Sequence, residues 1–365
     1  MLVSAFPPDE RGIALGAQAT AVSVGSASAP ILGGVGLEFL SWNTMFILFL
    51  IPAAVSLLAV QKLIAADERH QDGRQHLDVP GGVLSALTIA SLILTITNPL
   101  EFDLASPVII GGAVLTVVFG AAFVWWELHT NEPMIELRLF AIRVFRVATI
   151  VRILAFMAVI ATSFLLPVFL LSFRQTSAIT AGVILALFAI GIGLSAQVAG
   201  RMYDRVGPRL PTLLGLTLQV AMSQVFAFST DSTPLLVLGG AAGLTGIAMG
   251  MWTVPGNSAL LGATPPELFG VGGAFTNVTR TIGNVFGQAI LTLVVAAVMA
   301  SRGFDIPLGD LPGNEGAGSA FNGGWRAAYL VTAGITTVAL AISLLLPGKV
   351  SLSPAPSPAE TQAGR

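Results

Sequence analysis

The chain has 365 residues and a formal net charge of −2; 54% of its residues are hydrophobic, 10% are charged, and its mean hydropathy is +0.85. These values exclude a soluble multidomain protein, and the near-neutral charge gives no reason to expect a nucleic-acid partner. With no cysteine and three histidines, all in polar connectors, the sequence offers little material for a metal or another cofactor. Because a backbone in lipid must satisfy its own hydrogen bonds, the composition predicts an all-α polytopic membrane protein.

Apolar stretches long enough to cross a bilayer recur along the whole chain. They predict ten spans: 12–36, 43–62, 80–99, 107–127, 147–172, 178–199, 210–229, 234–256, 270–300 and 326–347. If Arg11 is cytoplasmic, twelve Lys and Arg residues fall on the cytoplasmic side and three fall outside: Arg174, Arg302 and Arg326. This bias predicts that both termini are cytoplasmic. The Pro- and Ser-rich residues 348–365 are predicted to form a disordered cytoplasmic tail.

The first span carries small residues at regular intervals, together with a proline and a pair of glycines that is expected to end the segment. The pattern consists of Gly16, Gly25, Ala29, Pro30, Gly33 and Gly34. Small residues let a second helix approach the backbone closely, so this helix is expected to pack tightly at an interface. The alternative is the ordinary small-residue packing that any membrane bundle uses.

A charged segment joins the spans 178–199 and 210–229. Its pattern consists of Gly200, Asp204, Arg205, Gly207 and Arg209. Asp204 is expected to face the positive N-terminus of the following helix and to pair with Arg205 or Arg209, which would form a charge cluster suited to a cytoplasmic gate. The alternative is a tight basic turn that only fixes topology.

The span 270–300 has a polar face at helical spacing. This face consists of Asn277, Arg280, Asn284 and Gln288. An arginine near the centre of a membrane helix costs about 2.5–3.5 kcal/mol, so Arg280 is expected to face protein or water. It would contact an anionic substrate or pair with a carboxylate; the alternative is hydrogen bonding between helices that fixes their packing.

Two further expectations rest on position along a span. Arg152 lies six residues beyond Arg146, and its side chain is expected to snorkel to the cytoplasmic interface. The tryptophans, including Trp252 and Trp325, fall mostly near the proposed interfaces, where anchoring is expected.

The chain also repeats itself at a shift of 258 residues, which places Gly25 on Gly283 and Ala29 on Gly287. The common offset predicts two equivalent halves of a duplicated transporter, related by an axis along the membrane normal. The first copy presents small residues, whereas the second carries a polar face. We therefore expect the first helix to seal and the second to contact water or substrate.

Three of these segments resemble parts of the fourteen-helix drug/proton antiporters of the major facilitator superfamily. The first span resembles their antiporter signature, with Ala29 where a glycine is usual; residues 200–209 resemble the loop pattern G-x-x-x-D-R-x-G-x-R. Residues 132–140 resemble the connector ahead of the final six helices. The resemblance covers nearly the whole chain and implies a major facilitator fold that lacks the first four helices.

On this resemblance, residues 1–62 end the N-terminal half, 63–146 form an extra two-helix insert with connectors, and 147–347 form the C-terminal six-helix half. All nineteen acidic residues fall in connectors or at span ends, so the sequence shows no obvious buried carboxylate to carry a proton. The resemblance places such a group in the missing helices. An upstream start or a damaged gene is expected rather than a working ten-helix pump.

The resemblance implies proton-coupled multidrug efflux, in which amphipathic compounds cross the bacterial inner membrane by alternating access. The partners would be a small-molecule substrate and the lipid bilayer, with the proton gradient in place of a bound cofactor. One alternative is a metabolite or organic-anion carrier of the same superfamily, attracted by Arg280. Another is a truncated, non-transporting membrane fragment or assembly partner. An enzyme is not expected, because no reactive constellation is present.

Overall fold

The computed structural model describes residues 11–63, 78–97, 106–130, 137–265, 269–304 and 316–348. Within these residues lie eleven α-helices and no β-strand, which confirms the prediction of an all-α chain. The helices are α1 (Arg11–Phe39), α2 (Trp42–Leu48), α3 (Leu50–Leu63), α4 (Val79–Thr97), α5 (Pro107–His129), α6 (Arg143–Val168), α7 (Ala178–Val206), α8 (Arg209–Ala227), α9 (Leu235–Gly262), α10 (Phe269–Ser301) and α11 (Ala317–Ser343). A π-helical segment (Phe169–Phe173) extends α6. The predicted tail lies outside the described residues from residue 349 onward.

Each predicted span corresponds to helical structure, with 43–62 divided between α2 and α3. In the described part of the chain, eight helical stretches are long and apolar enough to cross a membrane. The helix α4 is apolar but shorter, and α1 is long but rich in Gly, Ala and Ser. The chain is therefore a multi-pass membrane protein.

The helix α1 passes through Gly33 and Gly34 and ends at Phe39, so the expectation that the glycine pair ends the segment is wrong. Glycine is tolerated inside a membrane helix because no water competes there for the backbone hydrogen bonds. Pro30 also lies inside α1. The small residues of this segment thus form a continuous helix surface.

The helices α6 to α11 form a bundle with two clusters of buried side chains, one toward each end. In the first, the Trp325 ring lies 4.3 Å from the Phe169 ring, and Trp325 Nε1–H donates to the Phe226 carbonyl oxygen at 2.6 Å. In the second, Trp252 Nε1–H donates to Gln219 Oε1 at 2.7 Å. Both tryptophans are buried, so the expectation of interface anchors is wrong for them: each indole finds its acceptor inside the protein.

Glycines set the distance between α7 and α9. A Cβ on Gly191 would overlap the Gly243 carbonyl oxygen, and a Cβ on Gly246 would overlap that of Phe188. The two backbones therefore touch, as in other membrane bundles with small residues at the contact.

The helices α4 and α5 form an antiparallel hairpin. Thr116 Oγ1 donates to Ser91 Oγ at 3.1 Å in its middle, and Trp126 Nε1–H donates to Asp78 Oδ1 at 2.9 Å at its end. Asp78 Oδ1 also accepts the Gly81 N–H, which caps the start of α4. Polar contacts between the two helices therefore hold this insert together, and α4 also touches α10.

Candidate functional site

One face of α1 lies directly against the start of α7. A Cβ on Gly34 would lie 2.5 Å from the Ala178 carbonyl oxygen, and one on Gly182 would overlap the Pro30 carbonyl oxygen. At the end of this contact, Glu38 Oε2 accepts the Ala178 N–H at 3.2 Å. Two members of the signature pattern, Pro30 and Gly34, thus form a backbone contact between α1 and the C-terminal bundle.

The other small residues of α1 lie on an open surface. Gly25, Ala29 and Gly33 line an apolar cavity of about 550 Å³ between α1, α2 and α3. A Cβ on Gly25 or on Gly33 would meet no atom within 4 Å. Gly16 lies in α1, but its surroundings are outside the described residues. The residues of the pattern therefore lie on two surfaces of α1, and only the surface that faces α7 is packed.

The charged segment between α7 and α8 is mostly helical. α7 continues to Val206 because nothing interrupts it before Gly207, which has a φ of 78° and donates its N–H to the Tyr203 carbonyl oxygen at 2.8 Å. Gly200, Asp204 and Arg205 therefore belong to the last turns of α7, and the expectation that they form a loop is wrong.

No side chain caps the N-terminus of α8, so Asp204 does not hydrogen-bond there as expected. Asp204, Arg205 and Arg209 are all exposed. Within the described residues, Asp204 forms no ion pair with either arginine. The three charges sit together at one end of the bundle without direct contact.

The predicted polar face of α10 is a surface that no other described helix covers. Asn277, Arg280 and Gln288 are exposed, and Asn284 is half-buried. Arg280 Nη2 donates to Asn277 Oδ1 at 3.1 Å, so the guanidinium is held along the helix. The structure thus presents a cation and amide groups together on a membrane-length helix.

An adjacent face of α10 packs on α6. A Cβ on Gly283 would lie 2.7 Å from the Ile153 carbonyl oxygen, and one on Gly287 would overlap that of Met157. These are the two glycines that the repeat aligns with Gly25 and Ala29. In this copy, the closely packed glycines and the polar face lie on adjacent sides of one helix.

Arg152 does not snorkel, so this expectation is wrong. The side chain is 2% exposed; it donates to the carbonyl oxygens of Thr276 at 3.1 Å and Thr253 at 3.4 Å, and to Thr279 Oγ1 at 3.4 Å. Arg152 lies about 13 Å along α6 from Arg143, and its guanidinium is directed to neighbouring helices rather than toward that end. It joins α6 to both α9 and α10.

Among the described residues, the surroundings of Arg152 are polar, and no acidic side chain contacts it. The hydroxyls of Thr149 and Thr253 and the Oδ1 atom of Asn257 are buried without a hydrogen-bond partner. Arg280 is close enough for its charge to repel that of Arg152. The helices α6, α9 and α10 carry no Asp or Glu, so neither arginine has an acidic partner on these three described helices.

One carboxylate contradicts the expectation that none is buried. Glu127, in the last turn of α5, is 4% exposed. It lies at a span end, as the sequence indicates, but the packing of that end could not be seen from hydropathy. No group of three or more His, Cys, Asp or Glu side chains in the described residues could hold a metal ion.

Comparison with known proteins decides the family. The profile of the Major Facilitator Superfamily matches residues 1–288. The chain belongs to this superfamily. Its fold and the predicted resemblance are thereby confirmed at the level of the superfamily.

Curated relatives of this superfamily are distant. The chain is 26% identical to the uncharacterised MFS-type transporter YcnB of Bacillus subtilis strain 168, over 95% of this chain and 71% of that protein. It is 26% identical to the riboflavin transporter RibZ of Clostridioides difficile (79% and 62%) and to the multidrug resistance protein Stp of Mycobacterium tuberculosis (82% and 56%). The chain thus spans less than two thirds of the last two relatives.

A solved structure shares the fold. It is a bacterial homologue of the human lysosomal transporter Spinster, in an inward-facing and occupied conformation, with a TM-score of 0.55 and 19% identity. The match covers 94% of this chain and 71% of that one. At this identity the similarity concerns the major facilitator architecture alone.

Proposed function

We propose that this protein is a secondary active transporter of the bacterial inner membrane, which exports amphipathic drugs or similar compounds by alternating access in exchange for protons. The observation that carries the proposal is the uncovered polar face of α10. A membrane-length helix that exposes Arg280, Asn277 and Gln288 is costly in lipid. Such a face is expected to line an aqueous pathway.

The contact between α1 and α7 and the charged residues at the end of α7 have separate roles in this proposal. The backbone contact between α1 and α7 would keep the interface of the two halves tight and so restrict leak during exchange. Asp204, Arg205 and Arg209 would make and break contacts as the halves rock, at a gate on the cytoplasmic side. Both described termini would face the cytoplasm, as the distribution of Lys and Arg favours.

The names of several relatives support efflux. Stp of Mycobacterium tuberculosis is a multidrug resistance protein, LmrB of Listeria monocytogenes is a lincomycin resistance protein, and JefA of Mycobacterium tuberculosis is a drug efflux pump. RibZ, named for riboflavin, shows that relatives at a similar distance are named for a different kind of substrate. Drug efflux is therefore the first substrate class to test.

Transport in inverted membrane vesicles tests this proposal. We expect accumulation of ethidium, a fluorescent amphipathic drug, when the vesicle interior is acidified, and loss of that accumulation on adding a protonophore. Arg280→Gln should lower the rate at least fivefold, whereas Arg302→Gln, just beyond the end of α10, serves as the matched control and should not. Accumulation that is insensitive to the pH gradient would contradict proton coupling.

A second candidate is an organic-anion carrier, which the pairing of buried Arg152 with Arg280 favours. Two cations without an acidic neighbour attract a substrate carboxylate or phosphate more strongly than a cationic drug. We then expect fluorescein, an anionic probe, to be carried in place of ethidium, and Arg280→Gln to abolish its transport. If an abundant, well-folded protein carries neither probe, that result favours the third alternative, a membrane protein that does not transport.

A further inference from the structure

A crevice of about 360 Å³ lies at the end of the bundle where α6 and α8 begin and α11 finishes. Its walls are formed by the first residues of α6 and α8 and by the segment that follows α11. The lining residues are Arg143, Val144, Arg209, Leu344, Leu345, Leu346, Pro347 and Gly348. No acidic residue is among them.

Both arginines of the crevice are exposed, and neither forms a hydrogen bond or an ion pair with any described residue. Arg143 and Arg209 are the first residues of α6 and α8. No side chain caps either helix, so free backbone N–H groups add positive potential at the same place. The crevice therefore concentrates positive charge, and among the described residues no anion forms an ion pair with either arginine, although Asp204 lies at the same end of the bundle.

A buried hydroxyl close to the crevice lacks a partner. Thr212 is 2% exposed, and its Oγ1 atom has no hydrogen-bond acceptor or donor in the structure. It lies three positions after Arg209, which places the two side chains on the same face of α8. An anion between the arginines would have this hydroxyl one turn deeper.

The apolar part of the crevice faces outward. Leu344 and Leu345 are 50% and 52% exposed, whereas Leu346 is buried. The three helices that meet here are long and apolar enough to cross a membrane, and the crevice lies at their common end, where lipid headgroups are expected. Positive charge beside exposed leucines matches a molecule that carries both a phosphate and acyl chains.

We propose that this crevice binds an anionic phospholipid, with its phosphate between Arg143 and Arg209 and its acyl chains along Leu344 and Leu345. The site shares no residue with the polar face of α10, although Arg209 also belongs to the proposed cytoplasmic gate; lipid binding is therefore measured directly rather than through transport. A soluble phosphate would use the arginines but not the leucines, so the membrane lipid is the ligand that uses the whole crevice.

Native mass spectrometry of the detergent-purified chain tests this proposal with phosphatidylglycerol, phosphatidylcholine and inorganic phosphate as probes. We expect at least fivefold preference for phosphatidylglycerol over phosphatidylcholine. The double variant R143Q/R209Q should reduce this preference to about one. The matched control R146Q/R201Q removes two exposed arginines from the same end of the bundle and should retain it.

Two further variants keep the test decisive if R143Q/R209Q folds poorly. R143K/R209K retains both charges and should retain the preference for phosphatidylglycerol; L344S/L345S should weaken binding of both lipids by a similar factor. The proposal is overturned if R143Q/R209Q keeps the full preference, if the control loses it equally, or if inorganic phosphate at the same concentration displaces the lipid.

Discussion

The helices α1 and α10 occupy matched positions in the repeat, yet their small residues meet different surroundings. Gly283 and Gly287 of α10 touch the backbone of α6, whereas Gly25 and Ala29 of α1 line an open cavity. A small residue permits close approach but does not create it. The difference between the copies follows from the neighbour: α6 lies beside α10, and no described helix takes the corresponding place beside α1.

The two helices also differ in what their other face does. α1 uses Pro30 and Gly34 to contact α7, while α10 exposes Arg280 and Asn277 on a surface that no described helix covers. The first copy, α1, thus packs against the α6–α11 bundle from outside, and the second places polar groups on an uncovered surface of that bundle. The comparison separates packing positions from exposed ones, and variants can test each.

Gly287→Leu should have the largest effect. A side chain there overlaps the α6 backbone, and relief requires the two helices to separate, which costs about 3 kcal/mol or more. The control is Gly25→Leu, at the α1 position that the repeat aligns with Gly283. It places the same side chain in open space and should leave stability unchanged within about 0.5 kcal/mol. Unfolding in increasing SDS, followed by loss of helical signal, measures both.

Equal destabilisation by Gly287→Leu and Gly25→Leu would show that the α1 face is packed and would remove the distinction between the copies. A neutral Gly287→Leu would show that α6 and α10 are not in backbone contact.

Arg152→Gln should have the second largest effect. The variant loses two hydrogen bonds from a charged donor, to Thr253 and Thr276, but it no longer buries a charge. The net loss of stability should be about 2 kcal/mol. Arg280→Gln removes a cation from the exposed face of α10 and should change stability by less than about 0.5 kcal/mol. The same SDS titration compares the two variants.

If Arg280→Gln proved as destabilising as Arg152→Gln, the polar face of α10 would be a packing surface rather than an uncovered one. The proposed pathway would then lose its main support.

Gly34→Ala should have a smaller effect, confined to the contact between α1 and α7. The added Cβ lies 2.5 Å from the Ala178 carbonyl oxygen, so α1 must shift, at a cost of about 1 kcal/mol. The adjacent control, Gly33→Ala, meets no atom within 4 Å. The chain has no cysteine, so a pair introduced as Leu37→Cys and Ile179→Cys can report on this contact by its disulfide-formation rate. Gly34→Ala should slow cross-linking and Gly33→Ala should not; equal rates in the two variants would contradict the contact.

Hydropathy was sufficient to predict the helices, because span length and apolar composition depend only on neighbouring residues; the superfamily followed from the resemblance of three short motifs. The polar face of α10 could also be predicted from the sequence, since its four side chains recur at helical spacing. The burial of Arg152 was not predicted because its hydrogen-bond partners lie on α9 and α10, more than 100 residues away along the chain. The burial of Trp252, Trp325 and Glu127 depends on contacts between distant helices, which periodicity does not contain.

The central claim is that the polar face of α10 lines a water-filled pathway, and thiol labelling of single-cysteine variants tests it most directly. Gln288→Cys lies on the polar face, and Phe286→Cys lies at nearly the same depth on a different, exposed face of α10. In membrane vesicles, a water-soluble maleimide should label Gln288→Cys at least tenfold faster than Phe286→Cys, and a transported substrate should slow that labelling. Equal, slow labelling of the two variants would contradict the account.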